Sequence, residues 1–202
     1  ILKTIGVDIK KLEFVKGSDL QLNGKYLEDL LRLSMVSTVR NCNKAASEVV
    51  KMTDNPLLGN LVYPVMQALD EEYLEVNIQY AGLDQRKIMV YAREYLPKVG
   101  YKPRVELMSP MIRGLVGEKM SSSIEATKID LLDTPKDVEK KVRGAFCEEG
   151  VIEDNGVLAF LRYVVMVLKE GTKEKFIVER PEKFGGNVDF SSYKEIEEAF
   201  LN

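Results

Sequence analysis

The sequence contains no histidine, and this absence restricts the chemistry available to the protein. Ser/His/Asp and Cys/His catalytic groups are excluded, as is every zinc motif that uses histidine. The two cysteines, Cys42 and Cys147, lie far apart and form no Cys-x-x-Cys pair. This usage argues against a disulfide framework and favours a reducing compartment, by default the cytoplasm.

The sequence also lacks an excess of positive charge. Its formal net charge is −3, and Lys plus Arg equal Asp plus Glu between Thr134 and Gly186. A nucleic-acid contact, if there is one, must therefore be local. No charged-then-apolar leader and no run of 18 apolar residues is found, so we expect a soluble protein without a signal peptide or a membrane span.

The 202 residues, 45% of them hydrophobic, suffice for one large domain or two small ones. Leu12–Val15 reads as a short strand, and the helical spacing of apolar residues from Tyr26 to Met52 predicts two helices broken near Asn41 or Asn43. These elements precede a longer alternating pattern.

Helices and strands alternate in the middle of the chain. We predict a helix over Leu58–Leu74, a strand over Val76–Tyr80, a turn at Ala81-Gly82, a helix reaching Tyr95 and a strand over Val105–Met108. This order is typical of a parallel α/β sheet.

The pattern changes beyond Ile129. Thr134-Pro135 supplies an N-cap and a first-turn proline for a helix to about Phe146, and Ser192 opens a last helix with a capping box. We therefore predict two domains, an α/β domain over residues 1–130 and a mainly helical one over 131–202.

The segment from Gly117 to Ser123 combines a lysine with three hydroxyls. A lysine offers three donors that can follow a polyphosphate, and short serines leave the backbone N–H groups accessible. The candidate phosphate-binding residues are Lys119, Ser121, Ser122 and Ser123. Taken alone, the same composition is also typical of a solvated linker.

In the helix that begins at Leu58, a polar stripe is formed by Tyr63, Gln67 and Asp70, which fall within roughly 60° of one face. The stripe could be the solvent face. Apolar residues cover the remaining sides, however, so we predict a buried helix whose polar stripe needs a partner.

A second polar group follows the predicted strand Val76–Tyr80. Gly82 lets a ligand approach the backbone at the carboxyl end of the strand, and Asp84 and Gln85 occupy the next helical turn. A carboxylate there can accept hydrogen bonds from two ribose hydroxyls. Alternatively, its negative charge only interacts favourably with the positive end of the helix dipole.

Taken in order, the segments Tyr63–Asp70 and Gln79–Lys87 and the loop that carries Lys119 resemble the class I tyrosyl-tRNA synthetases of the archaeal and eukaryotic type. The resemblance implies the second half of a Rossmann-like catalytic domain followed by a mainly helical anticodon-binding domain. It also implies ATP-dependent activation of tyrosine to tyrosyl-adenylate and its transfer to tRNA(Tyr).

The resemblance assigns roles to individual residues. Asp70 would accept the phenolic O–H of tyrosine, Tyr63 and Gln67 would hold its ammonium group, and Gln85 would meet its carboxyl group. On the ATP side, the implied residues are Gly82, Asp84 at the ribose, Met108 at the adenine and Lys119 at the leaving pyrophosphate. Magnesium enters as the ATP complex, and no metal site on the protein itself is expected.

The C-terminal part resembles the family's anticodon-binding region, in which Cys147 and Phe184 would flank an unstacked base. The family also forms homodimers through the helices that correspond to Thr38–Met66. The family's first nucleotide-binding half and the last helices of its anticodon-binding domain have no counterpart here, so we expect an internal fragment that is inactive alone. A non-catalytic module for tRNA binding or dimerisation remains the alternative.

Overall fold

A computed structural model of the protein describes residues 7–50, 53–116, 120 and 124–201. The chain forms two compact units, Ile1–Met111 and Ile112–Asn202. The predicted domain boundary near residue 130 stays a prediction, because compactness alone does not assign a domain. Within the described ranges, no helix is long and apolar enough to cross a membrane.

The first unit is mostly helical, with a small sheet. Its helices are α1 (Gly17–Gln21), α2 (Gly24–Val36), α3 (Val39–Ala46), α4 (Leu58–Tyr73) and α5 (Arg86–Tyr95), its strands are β1 (Ile78–Gly82) and β2 (Val105–Ser109), and short 3-10 turns cover Ile9–Lys11, Leu83–Gln85 and Leu96–Val99.

Strands β1 and β2 are parallel neighbours, in a register that pairs Ile78 with Val105 and Gly82 with Ser109. Helix α5 connects them, so the predicted strand–helix–strand unit and the α/β class are confirmed. The strand starts two residues later than predicted and includes Ala81 and Gly82. Both strands therefore end at the same edge of the sheet, where parallel α/β proteins place their ligands.

The break between α2 and α3 lies at Ser37 and Thr38, so the prediction of a break at Asn41 or Asn43 is wrong. Thr38 is in extended conformation, and its side chain accepts a hydrogen bond from the backbone N–H of Asn41. This bond satisfies one of the free N–H donors in the first turn of α3, so the helix begins directly after Thr38.

The strand predicted at Leu12–Val15 is also wrong. These four residues are exposed and form no regular element. A strand is stable only when its backbone groups pair with a neighbour. The structure offers this segment no such neighbour within the described ranges.

The core of the first unit lies between helices α2 to α5. Burying a large apolar side chain of this kind contributes about 1.5–3 kcal/mol. The buried members of this core are Tyr26, Leu33, Cys42, Ala45, Val65, Ala68, Leu69, Ile88, Tyr91, Ala92, Tyr95, Leu96 and Val99. Helix α4 contributes its apolar face to this core, which holds the opposite polar stripe in a fixed orientation.

The second unit is helical with one small antiparallel sheet. Its elements are a 3-10 turn (Glu125–Thr127), α6 (Pro135–Arg143), α7 (Gly156–Phe160), a π-helical turn (Leu161–Val165), α8 (Met166–Thr172), β3 (Phe176–Val178), a 3-10 turn (Glu182–Phe184), β4 (Val188–Phe190) and α9 (Tyr193–Leu201). Leu158, Met166 and Ile196 form its buried core.

The caps predicted in the second unit are present. Thr134 and Asp137 form a reciprocal capping box at the start of α6. At the last helix, the Ser192 hydroxyl accepts from the backbone N–H of Glu195. The Glu195 carboxylate accepts from the backbone N–H of Ser191, one residue earlier than in the standard box.

Candidate active site

A cavity of about 450 Å³ opens beside helix α4 in the first unit. Its walls are formed by Gln21, Tyr63, Met66, Gln67, Asp70 and Gln85. Four of these are the residues for which the sequence predicts tyrosine recognition. Cavities of about this volume are typical of small-molecule sites in proteins. The structure therefore brings together side chains from three separate segments of the sequence.

Helix α4 orients the polar stripe. Val65, Ala68 and Leu69 are buried on the opposite face. Gln67 and Asp70 are half-buried, as expected for a stripe with partners, whereas Tyr63 is 47% exposed at the rim. The prediction of a buried polar stripe thus holds for its two inner members and not for Tyr63.

Asp70 receives hydrogen bonds from two side chains that lie far from it in sequence. The Gln21 amide nitrogen lies 3.1 Å from Oδ1 and 3.3 Å from Oδ2 of Asp70. The Tyr26 hydroxyl lies 2.9 Å from Oδ1. The carboxylate is thereby held as an acceptor at the cavity wall.

The two glutamines of the cavity are bonded to each other. The Gln67 Nε2 donates to Gln85 Oε1 at 3.1 Å. The Gln67 Oε1 is buried and accepts no hydrogen bond from any described residue. A buried acceptor without a donor is costly unless a ligand or water supplies one. This oxygen is therefore suited to a cationic or neutral N–H donor in the cavity.

Gly82 ends β1 beside the Asp84 side chain. A Cβ built at Gly82 would lie 2.7 Å from Asp84 Oδ1 and 3.6 Å from Met111 Sδ, so any larger residue would displace the carboxylate. Met108 lies on β2 opposite Ala81 in the register, at the same sheet edge. Three of the four residues predicted for ATP thus lie near one another at this edge, and their roles remain predictions.

The predicted phosphate-binding residues Lys119, Ser121, Ser122 and Ser123 lie outside the described residues. The segments that flank them are joined at their base, where the Leu115 N–H donates to the Thr127 carbonyl at 3.0 Å.

The predicted anticodon residues lie on separate segments of the second unit. Cys147 is exposed after α6, and its thiol accepts from Asn155 Nδ2 at 3.3 Å. Phe184 is 62% exposed in a 3-10 turn. Gly185 and Gly186, with φ of 92° and 72°, follow it, a backbone that favours glycine. An aromatic ring this exposed is available for stacking, and base contact stays a prediction.

Sequence reasoning missed Gln21, Tyr26 and Met66. Met66 lies one helical turn from both Tyr63 and Asp70, but as an apolar residue it is assigned to the core. Gln21 and Tyr26 reach the site from α1 and α2, more than 40 residues before Asp70. No local pattern signals such a contact, because only the packing of α1 and α2 against α4 creates it.

Comparisons with known proteins point in one direction. The family described as "tRNA synthetases class I (W and Y)" matches residues 1–202. The chain is 51% identical over 200 residues to the cytoplasmic tyrosine–tRNA ligase of Xenopus tropicalis, covering 99% of this chain and 37% of that protein. It is 49% identical over 205 residues to the Saccharomyces cerevisiae protein of the same name, with coverages of 99% and 52%.

An archaeal tyrosine–tRNA ligase, from Haloarcula marismortui, is 40% identical over 202 residues, which cover 58% of its length. The chain therefore spans between 37% and 58% of the length of these three relatives.

Solved structures show the same likeness. The tyrosyl-tRNA synthetase of Archaeoglobus fulgidus, complexed with L-tyrosine, superimposes with a TM-score of 0.86 at 38% identity, covering 98% of this chain and 60% of that one. The Pyrococcus horikoshii synthetase complexed with L-tyrosine gives a TM-score of 0.88 at 27% identity, with coverages of 99% and 61%.

Proposed function

Because this chain belongs to the class I tRNA synthetases, and within them to the tyrosyl-tRNA synthetases of the archaeal and eukaryotic type, we propose that it is the tyrosine-recognising part of a cytoplasmic tyrosine–tRNA ligase. The full-length protein activates tyrosine with ATP to tyrosyl-adenylate and transfers it to tRNA(Tyr). The observation that carries this proposal is the cavity beside α4, whose polar groups match the two ends of tyrosine.

The ring end of the cavity is defined by Asp70. Its carboxylate accepts from Gln21 and Tyr26 and can accept a further bond from a phenolic O–H. A site built to bond a substrate hydroxyl rejects the analogue that lacks it, because its own polar group is then left unpaired. Asp70 thus provides the discrimination between tyrosine and phenylalanine.

The amino-acid end is defined by Gln67 and Gln85. The unpartnered Gln67 Oε1 is an acceptor for the ammonium group. The Gln85 Oε1 is already occupied by Gln67, which leaves the Gln85 amide N–H groups to meet the carboxyl group. Tyr63, at the exposed rim, closes this end with its ring. Both charged ends of the amino acid then meet groups of the right polarity.

ATP is assigned to the edge of the sheet where β1 and β2 end. Asp84, beside Gly82, suits the two ribose hydroxyls, and Met108 borders the adenine from the neighbouring strand. Lys119 and the serines that follow it bind the polyphosphate, together with magnesium carried by ATP. None of these steps needs a protein nucleophile, since the carboxylate of tyrosine attacks the α-phosphate itself.

The second unit is proposed to contact the tRNA anticodon. The exposed Phe184 ring, with Lys183 Nζ 4.9 Å from its centroid, offers a stacking platform next to a positive charge. Cys147 provides a small neighbouring side chain. These contacts are few, consistent with a chain that has no basic excess.

The decisive experiment uses the full-length ligase and the Asp70→Ala variant. Tyrosine-dependent ATP–pyrophosphate exchange is expected in the wild type. In the variant, kcat/KM for tyrosine should fall, because a hydrogen bond to a charged acceptor contributes about 1.5–3 kcal/mol. The tyrosine-to-phenylalanine ratio should fall about tenfold or more. Asp19→Ala, at an exposed carboxylate on α1, is the matched control and should change neither value.

Two results would contradict the proposal. An unchanged ratio in a folded Asp70→Ala variant would place this residue outside the ring site. Absence of exchange in the wild-type full-length protein, with tRNA binding retained, would instead favour the non-catalytic module.

A further inference from the structure

Tyr26 lies behind the cavity rather than in its wall. The side chain is 1% exposed in the core between α2 and α4. Its hydroxyl lies 2.8 Å from the backbone carbonyl of Met66 and 2.9 Å from Oδ1 of Asp70. The single hydrogen of this hydroxyl is therefore shared between the Asp70 carboxylate and the backbone carbonyl of the preceding turn of α4.

The two oxygens of Asp70 are bonded unequally. Oδ1 accepts from Tyr26 at 2.9 Å and from Gln21 at 3.1 Å, whereas Oδ2 meets only Gln21, at 3.3 Å. A carboxylate oxygen has room for about two donors. Oδ1 is therefore filled by the protein, and Oδ2 keeps capacity for one more donor.

We propose that Tyr26, together with Gln21, is a positioning residue that fixes Oδ1 of Asp70 and leaves Oδ2 to read the phenolic O–H of the substrate. The inference rests on the proposed function, since it assumes that tyrosine occupies the cavity. Its consequence is that specificity for tyrosine depends on a buried hydroxyl that never touches the substrate.

The protonation of Tyr26 suits this role. Burial, and then the hydrogen bond to Asp70, raise the pKa of Tyr26 far above its ordinary value of 10. The hydroxyl therefore stays a donor at every pH at which the enzyme can be assayed. A neutral donor fixed in the core restricts the rotation of the carboxylate, so the accepting oxygen is pre-oriented before tyrosine binds.

The neighbouring Tyr73 provides a matched control. Its ring centroid lies 4.8 Å from that of Tyr26, with the ring planes at 59°. Its hydroxyl, however, donates to Oδ2 of Asp29 at 2.7 Å and not to Asp70. Tyr26→Phe and Tyr73→Phe each remove one phenolic oxygen from the same aromatic pair, but only the first removes a hydrogen bond to Asp70.

The experiment measures kcat/KM for tyrosine and for phenylalanine by ATP–pyrophosphate exchange in the full-length enzyme, with a thermal melt of each variant. Tyr26→Phe should lower the tyrosine value about tenfold, the size of one hydrogen bond to a charged group. The phenylalanine value should stay within about twofold. Tyr73→Phe should lower the melting temperature and leave the ratio of the two substrates unchanged.

A purely structural role for Tyr26 predicts a different result. Equal losses for both substrates, or an unchanged ratio in a folded Tyr26→Phe protein, would overturn the inference. Should Tyr26→Phe fail to fold, Gln21→Leu removes the other donor to Asp70 and must lower the ratio in the same direction. If the ratio also stays unchanged in Asp70→Ala, the assignment of the cavity itself fails. A lowered ratio in Asp70→Ala alone refutes only the positioning role.

Discussion

Glu71 is the most deeply buried glutamate of the first unit that the structure describes, with 3% of its surface exposed on α4. Burial, and second the nearby Glu106 carboxylate, raise the pKa of Glu71 from 4.5 to about 7, against the opposing charge of Arg104. Arg104 itself lies 2.6 Å from Glu72, and Arg93 lies 3.9 Å from Glu106. The charge of Arg104, which is also paired with Glu72, therefore offsets only part of the effect of burial on Glu71.

This raised pKa makes stability depend on pH. The pKa of this carboxyl group is higher in the folded state than in the unfolded state, where it is 4.5. Its contribution to stability is therefore fully present below pH 4.5 and is lost as the pH rises through about 7. At about 1.4 kcal/mol per pH unit, the difference corresponds to about 3 kcal/mol. We expect the free energy of unfolding of the first unit to fall by about 2–3 kcal/mol between pH 5 and pH 8.

The Glu71→Gln variant should remove this slope, because glutamine is neutral throughout the range. Urea unfolding at several pH values, followed by the near-UV circular dichroism of the tyrosines, measures it. At pH 8 the variant should be more stable than the wild type by about 2–3 kcal/mol, and at pH 5 nearly equal to it. Glu72→Gln is the control, since Glu72 is paired with Arg104. It should keep the wild-type slope. Parallel wild-type and Glu71→Gln curves would refute the reasoning.

Three further predictions concern stability, catalysis and assembly. Asp29→Ala should lower the free energy of unfolding by about 3 kcal/mol in urea melts, because Arg32, Tyr73 and Tyr101 lose the buried carboxylate to which they donate. A change as small as that of Asp19→Ala would contradict this. In the full-length ligase, Lys119→Ala should lower the adenylation rate about 10²–10³-fold with unchanged tyrosine affinity; a collapse of tyrosine binding would make Lys119 structural. Sedimentation velocity at micromolar concentration should show a homodimer. The region assigned to dimerisation exposes three apolar side chains, Val39, Leu57 and Leu58, by 69%, 74% and 75%. Sedimentation as a monomer would contradict this prediction.

Elements with strong local signals could be predicted from the sequence. Helix α4 lies within one residue of its predicted bounds, since its apolar residues recur at helical spacing. The start of α6 follows from the cap at Thr134, a bond that forms within four residues. The stripe of Tyr63, Gln67 and Asp70 could be predicted because helical geometry alone places these residues on one face.

Features that depend on distant partners could not be predicted. Leu12–Val15 has the composition of a strand, but no neighbouring strand pairs with it in the described ranges. Tyr26 reads as an apolar core residue, and only the packing of α2 on α4 directs its hydroxyl to Asp70. The sequence thus identifies four side chains of the cavity wall, and it leaves out Gln21, Met66 and the Tyr26 hydroxyl that is bonded to Asp70.

The hydroxyls of Tyr26 and Tyr73, whose rings are in contact, donate to two different carboxylates, Asp70 and Asp29. Asp29 accepts from Arg32, Tyr73 and Tyr101, and the residue is 1% exposed. These hydrogen bonds outweigh the effect of burial and hold the pKa of Asp29 below its ordinary value.

Asp70 lies on the other side of the same aromatic pair, and it keeps one oxygen with spare capacity toward a cavity. A buried acceptor is costly unless it is paired, so a fold retains incomplete pairing where a ligand completes it. Under the proposed function, the number of unfilled acceptor positions, rather than burial or charge, distinguishes Asp70 from Asp29. By this criterion Asp29 should tolerate no polar ligand, whereas Asp70 requires one.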